Sequence, residues 1–410
     1  MNIEMNIEWI DGGVTAAQGF LASGIHCGIR KNKTKPDLAL IYSETICRAA
    51  AVYTQNLVQG APLTVTRQHL ENGKAQAVIV NSGNANTCNA DGLEKADRMC
   101  RIAAAQLRIP KEDVVVASTG VIGQILPIAP IEQAAEALKS ALSRDGSRAA
   151  ACAIMTTDTY PKEAAVSCEI GGKTVRIGGI AKGSGMIHPN MATMLSFVTT
   201  DCRITSDMLR KAVHTVVADT FNMISIDGDS STNDTFAVLA NGAAQNPEIT
   251  AQDEDYQRFC QALRQVCRNL SMQMAADGEG ATKLLICKVS GADDDKTAKA
   301  VAKSVICSSL LKAAMFGADA NWGRVLCAIG YAGVKVDVDK IDVSFSSLKG
   351  RLDVCRNGHG IAFSEEEAKA LLSEKEIEIL VDLNMGSQCG EAYGCDLTYD
   401  YVRINGDYRT

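Results

Sequence analysis

The stretch AQAVIVNSGNANTCNADGLEKADRMCRIAAAQLRIPKEDVVVASTG, residues 75–120, holds the pattern that decides the fold class. Gln76-Ala77-Val78-Ile79-Val80 is a short apolar run that stops in Asn81-Ser82-Gly83-Asn84-Ala85-Asn86, a loop whose composition favours turns. From about Leu93 to Leu107 apolar side chains fall at Met99, Ile102, Ala103 and Leu107, the three-and-four spacing of a helix with one buried face. Val114-Val115-Val116-Ala117 then reads as a buried strand that delivers Ser118-Thr119-Gly120 at its C-terminal end. Strand, helix and strand in this order point to an α/β fold, in which strand ends carry the chemistry.

Outward from this unit the alternation continues. A helix is expected at about 131–142, then strands at 164–169 and 174–180 with Gly171-Gly172 as a hairpin turn. Residues 182–193 are too rich in Gly, Pro and Asn for helix or regular strand, and the β-rich run Met194-Leu195-Ser196-Phe197-Val198-Thr199-Thr200 follows them directly. Helices at about 206–221 and 253–274 flank a strand near 234–239. After a strand at 283–289 come an Ala-rich helix to about Phe316, several short strands, and a helix near 365–372. A loose boundary is set near Ala292, where Asp293-Asp294-Asp295 makes the composition acidic.

Bulk properties remove several function classes. The 410 residues carry 41 Lys and Arg against 48 Asp and Glu, a formal charge of -7, and no dense basic run is read along the chain, so nucleic acid is not an expected partner. Fifteen cysteines, an odd number scattered through apolar segments, read as reduced core residues, and their spacing suits no zinc site. The N-terminus places acid where a signal peptide needs base. No apolar stretch reaches the roughly 18 residues of a membrane helix, and the cytoplasm is the simplest expectation.

Three motifs start and fail. Gly172-Lys173-Thr174 ends like a phosphate-binding loop, but Ser167 stands where the first glycine belongs and a hairpin is the better reading. Asp227-Gly228-Asp229 begins like a calcium loop, yet Thr232 and Val238 replace the required glycine and glutamate. That segment reads as an acidic turn, or as the wall of a cleft, since Thr232-Asn233-Asp234 extends its polarity. Among the five histidines only His188, in the glycine-rich loop, merits a test, and a packed imidazole is the plainer reading.

Four blocks remain: Ser118-Thr119-Gly120-Val121-Ile122-Gly123, Thr156-Thr157-Asp158-Thr159-Tyr160-Pro161-Lys162, the run from Ala181-Lys182-Gly183-Ser184-Gly185 through Ala192-Thr193-Met194-Leu195, and Ala318-Asp319-Ala320-Asn321-Trp322-Gly323-Arg324. In composition and order they resemble the ornithine acetyltransferase family of arginine biosynthesis, also called bifunctional glutamate N-acetyltransferase, over nearly the whole chain. Thr87 to Gly92 and Gly406 depart from the family's usual residues, away from the blocks that carry reaction chemistry.

The resemblance implies an α/β fold of layered sheets and helices of the self-processing N-terminal-threonine type, with a smaller C-terminal α/β domain. It implies scission between Ala192 and Thr193, so that 1–192 forms an alpha chain, 193–291 begins the beta chain with the nucleophile, and 292–410 is its C-terminal domain. Two alpha and two beta chains are then expected to assemble as a heterotetramer. Thr193 becomes the nucleophile, with its new α-amino group as the neighbouring base that a weak alcohol requires. Thr119 and Gly120 take the oxyanion-hole role, and Thr156, Lys182, Thr193, Glu279, Asn405 and Thr410 become substrate contacts. Lys182 would hold an α-carboxylate and Glu279 the side-chain ammonium of ornithine.

The implied reaction passes acetyl from N2-acetylornithine to Thr193 and from there to glutamate. It needs neither metal nor resident cofactor; acetyl-CoA as a second donor stays open. Two alternatives compete: a self-processing amidase or aminopeptidase of related fold, with water as acceptor, and a non-catalytic binding protein, which would have no use for Thr193, Thr119, Gly120, Lys182 and Glu279 together.

Overall fold

The computed structural model describes residues 6–32, 34–188 and 194–406. Ala192, Thr193 and Thr410 lie outside the described residues. The strands in chain order are β1 (Glu8–Trp9), β2 (Phe20–Ile25), β3 (Leu38–Tyr53), β4 (Lys74–Asn81), β5 (Val114–Ser118), β6 (Lys162–Ile170), β7 (Lys173–Lys182), β8 (Leu195–Thr200), β9 (Ile224–Ser225), β10 (Thr235–Ala240), β11 (Leu284–Ala292), β12 (Asp342–Ser347), β13 (Gly350–Arg356), β14 (His359–Gly360), β15 (Glu376–Asp382) and β16 (Gln388–Cys395). The helices are α1 (Ala61–His69), α2 (Gly92–Leu107), α3 (Ala129–Ser140), α4 (Ser147–Ile154), α5 (Ser206–Asp219), α6 (Glu254–Ala276), α7 (Asp295–Cys307), α8 (Ser309–Phe316), α9 (Trp322–Gly330), α10 (Glu365–Leu372) and α11 (Tyr399–Asn405).

Two sheets organise the molecule. The first has nine strands in the order β1-β6-β7-β8-β10-β3-β4-β5, with β2 paired beside β3. β8 and β10, which follow residue 193, thus sit between β7 and β3, which precede it. β7 pairs antiparallel with β8 from Ile177 opposite Thr200 to Lys182 opposite Leu195, and β10 pairs antiparallel with β3. The second sheet has seven strands in the order β14-β13-β12-β15-β11-β16-β9.

The first sheet is buried on both faces along β4 and β5, and this is why they read as continuous apolar runs rather than alternating ones. Val78, Val80, Val115 and Ala117 enter one core with α4, while Ala77, Ile79, Val114 and Val116 enter another with α2 and α3. A third and larger core joins α5, α6 and α7 to both sheets: Val166, Ile177, Leu263, Leu270, Leu285 and Tyr393 all belong to it. The turn Gly171-Gly172 does close the β6–β7 hairpin, with φ of +55° and +71° that suit glycine.

The sequence-based boundary near Ala292 coincides with the last residue of β11. β11 ends at Ala292 and lies inside the second sheet between β15 and β16, so its pairing assigns it to the C-terminal layer. Even β9, from before α6, joins that layer by pairing with β16.

Candidate active site

One cleft gathers residues that are far apart in the chain. Its wall includes Thr119 and Gly120 after β5, Thr156 and Thr157 after α4, Lys182 at the end of β7, Met194 and Leu195 at the start of β8, Asp234 before β10, Glu279 after α6, and Asn405 in α11. Of the expected site residues, the structure therefore brings together Thr119, Gly120, Thr156, Lys182, Glu279 and Asn405. Ala192, Thr193 and Thr410 are outside the described residues, but Met194, next in chain to Thr193, is on the wall.

The Asn-rich loop after β4 builds the turn that carries Thr119 and Gly120. Asn81 Nδ2 donates to Ser118 Oγ at 2.6 Å, and the Thr119 amide donates to Asn81 O at 2.9 Å. Asn233 clamps the turn from the other side, donating through Nδ2 to Ala85 O at 2.5 Å and Ser118 O at 2.9 Å. Gly120 has φ +129°, and a Cβ there would lie 2.7 Å from Asn84 N, so only glycine fits without displacing the loop. Neither the Thr119 hydroxyl nor the Gly120 N–H has a hydrogen-bond partner among the described residues.

A buried charge network supports the cleft from behind. Lys162, fully buried, places Nζ 2.7 Å from Asp158 Oδ1 and 2.6 Å from Asp277 Oδ2. Asp158 also accepts from the amides of Thr156 at 3.0 Å and Gly183 at 2.7 Å, which fixes the residues on either side of Lys182's strand end. Burial works against the Asp158 charge, yet the Lys182 and Lys162 ammonium groups hold its carboxyl far below the usual range. Lys182 is itself lowered, first by burial, with Asp158 opposing. Its ammonium faces the cleft and makes no hydrogen bond among the described residues.

Asp234 and Glu279 supply the acids. Asp234 is 2% exposed, its Oδ2 has no partner among the described residues, and burial pushes its carboxyl well up despite hydrogen bonds from Ser231 and Thr54 and the charge of Lys182. Sheet pairing sets its place: Thr235 lies opposite Leu195, and the Thr235 amide donates to Met194 O at 2.9 Å. Glu279 is tied in by its amide to Ser184 O at 2.8 Å and by Asn405 Nδ2 to its Oε2 at 2.7 Å. Gly185 is the close approach that permits this, since a Cβ there would collide with the Glu279 carboxylate.

Asp227, from the segment that starts like a calcium loop, spends its carboxylate on the amides of Met186 at 2.6 Å and Ile187 at 2.9 Å. It is a strap for the glycine-rich loop, and Ser231, Thr232, Asn233 and Asp234 after it form cleft wall. His188 is not on that wall. It packs against Ser225 Oγ at 3.1 Å, and burial together with the charge of Lys303 lowers it to about 4, so it is neutral at ordinary pH.

Sequence reasoning placed Asp234 only in the polar run after Asp227, read as an acidic turn or a cleft wall, and gave it no role of its own; the structure puts it on the wall. Sequence reasoning missed a basic loop. Arg30, Lys31, Lys33 and Lys35 are separated by Asn32 and Thr34, and a scan for unbroken runs passes over them.

Comparison with known proteins follows this geometry. The model of the ArgJ family matches residues 21–410. The arginine biosynthesis bifunctional protein ArgJ of Symbiobacterium thermophilum is 50% identical over 406 residues, 98% of this chain and 100% of that protein. Its namesake from Caldanaerobacter subterraneus subsp. tengcongensis is 48% identical over 405 residues, again 98% and 100%. A crystal structure of an arginine biosynthesis bifunctional protein from Bacillus halodurans is 47% identical with a TM-score of 0.50, the match covering 52% of this chain and 99% of that one.

Proposed function

This chain belongs to the ArgJ family and is a glutamate N-acetyltransferase of arginine biosynthesis; from that premise we propose that its acetyl carrier is Thr193, freed by scission between Ala192 and Thr193. In the cut, Thr193 Oγ attacks the Ala192 carbonyl carbon, the peptide C–N bond breaks, and water hydrolyses the resulting ester. The product is a threonine with a free α-amine of pKa about 8, a base beside its own hydroxyl.

Turnover repeats the chemistry on substrate. The amine takes the hydroxyl proton while Oγ attacks the acetyl carbon of N2-acetylornithine. The Thr119 hydroxyl and Gly120 N–H receive the oxyanion, each such donor contributing about 3 kcal/mol in comparable sites. Collapse sends the proton to the leaving amine, ornithine departs, and the amine of glutamate takes the acetyl group from the ester. Lys182 pairs with the substrate α-carboxylate, and Glu279, oriented by Asn405, pairs with the ornithine ammonium. Thr156 and Thr410 complete the contacts. No resident cofactor enters these steps.

The observation that carries this reading is the cleft wall itself, where Met194 stands with Thr119 and Gly120. A second supports the cut: the Bacillus halodurans chain is matched almost whole by about half of this one, and the part after residue 192 is also about half. The two pieces are proposed to remain together in the cytoplasm as a heterotetramer of two alpha and two beta chains.

The deciding experiment is mass spectrometry of the purified enzyme after incubation with N2-acetylornithine and no glutamate. An acetylated peptide beginning at Thr193 is expected, discharged on adding glutamate. Full activity in Thr193→Ala, or acetate release at equal rates without glutamate, would overturn the reading, the latter in favour of an amidase.

A further inference from the structure

Residues 189–193, which include the proposed scission site, run between two fixed ends. The first sheet holds the downstream end: Leu195 lies opposite Lys182 on β7 and Thr235 on β10, and Met194 O accepts from the Thr235 amide at 2.9 Å. The upstream end is held elsewhere. Asp227 fixes the Met186 and Ile187 amides, the Ile226 amide donates to Ile187 O at 2.7 Å, and Ser230 Oγ donates to His188 O at 2.9 Å. The His188 side chain adds an anchor of a different kind. Its Nδ1 lies 3.1 Å from Ser225 Oγ on β9 and 3.5 Å from Sγ of Cys307, the last residue of α7.

The seat for this ring is itself braced. Lys303, one turn before Cys307 on α7, donates through Nζ to Asn222 O at 2.7 Å and to Ile224 O, which fastens α7 to β9. Ser225 lies opposite Gly394 of β16, so the seat belongs to the second sheet. Burial and the Lys303 charge keep the imidazole neutral, and a neutral ring can accept at Nδ1 from the Ser225 hydroxyl or the Cys307 thiol.

We infer that His188 is a positioning residue for the scission: its ring, seated between Ser225 and Cys307, fixes the entry to residues 189–193 so that Thr193 Oγ meets the Ala192 carbonyl. The inference rests on the scission reading above. An intramolecular attack runs at a rate set by how often the reacting atoms meet in line at about 3 Å. A five-residue segment with one loose end visits that arrangement far less often than one fixed at both, because every freed residue multiplies the conformations available. The ring is off the cleft wall, so it has no part in turnover once the peptide bond is broken. β9, α7 and β16 all follow residue 193 in the chain, so the seat exists only after the downstream part has folded, and cutting waits for it.

The test follows the cut in the full-length chain made by cell-free translation. After translation is stopped, precursor and fragments are resolved over time on denaturing gels, and acetyl transfer from N2-acetylornithine to glutamate is assayed on the cut protein. In His188→Ala the cut is expected to slow at least tenfold, while kcat and KM per cut molecule stay within twofold of the parent. His188→Asn, whose side-chain amide can reach the position of Nδ1, is expected to recover most of the rate. Ser225→Ala/Cys307→Ala is expected to slow the cut as well, and to cost little more when added to His188→Ala, since the three groups form one contact. Should His188→Ala give no soluble chain, the Ser225→Ala/Cys307→Ala pair reads the same contact from its other side. Cutting at the parent rate in His188→Ala, no recovery in His188→Asn, or fully additive slowing in the combined variant each overturns the inference. So does a change in kcat or KM of the cut enzyme as large as the change in cutting, because the ring would then serve the cleft or the fold at large. A parent chain that is not cut before Thr193 would instead refute the scission reading itself.

Discussion

Asp234 shows how one side chain carries a pH signature. Burial raises its carboxyl well above the unfolded value of about 4, so folding takes up a proton between those two values. Its contribution to stability is greatest below the unfolded value, falls as pH climbs toward the folded one, and is level above that. Asp234→Asn removes this dependence. Relative to the parent, its melting temperature is expected to improve steadily from pH 4 upward, read by thermal melts across pH 4 to 8; a constant offset would show that the acid is not buried and protonated. Gly120 makes a steric case instead. Gly120→Ala has to push a Cβ into Asn84 at a φ that L residues avoid, and the N–H moves with it. A loss of about 100-fold in kcat with little change in KM is expected from steady-state kinetics, the size seen when one oxyanion donor is removed.

Among elements, the paired strand ends matter most, and Lys162 on β6 is their common fastener. Lys162→Met leaves the Asp158 and Asp277 carboxylates buried without their cation, and a loss of about 3–5 kcal/mol in denaturant unfolding is expected. The C-terminal helix is a lighter fastener. Asn405→Ala frees Glu279 from a charge-assisted hydrogen bond, and the KM for N2-acetylornithine is expected to rise about tenfold with kcat nearly kept. Elements with a single clean period were legible in the sequence: α2, β4, β5 and the β6–β7 hairpin follow from spacing and turn residues. β3 was not, because Ser43-Glu44-Thr45 interrupt its apolar pattern where its register against β4 shifts between Tyr42 and Cys47. The Ala-rich helix expected to run to Phe316 is two helices, since Ser308 caps a new one by accepting from the Leu311 amide at 3.3 Å. α9 was hidden inside a motif, with Asn321 as its cap. Thr119, Gly120, Lys182 and Glu279 were legible by resemblance, whereas Asp234 depends on which strand lies beside β8, and that pairing has no local sign in the sequence.

For the whole molecule, the strand order of the first sheet sets the terms of assembly. Were the chain cut between Ala192 and Thr193, unfolding would release two polypeptides instead of one, and mass action would enter. The melting temperature of the cut enzyme is expected to rise with protein concentration over a hundredfold range in scanning calorimetry, and to rise more steeply than that of an uncut Thr193→Ala chain, whose unfolding releases fewer polypeptides. Equal behaviour of the two would show that the mature fragments remain linked. The same sheet has a kinetic meaning. With β8 and β10 lodged between β7 and β3, the severed pieces cannot slide apart along a seam; separation must tear hydrogen bonds on both sides of the inserted pair, and return demands that two free molecules meet and rethread. A cut so placed would act as a ratchet: heating and cooling curves of the cut enzyme should trace a hysteresis loop, and its lifetime would be governed by how seldom that sheet opens rather than by how readily it re-forms.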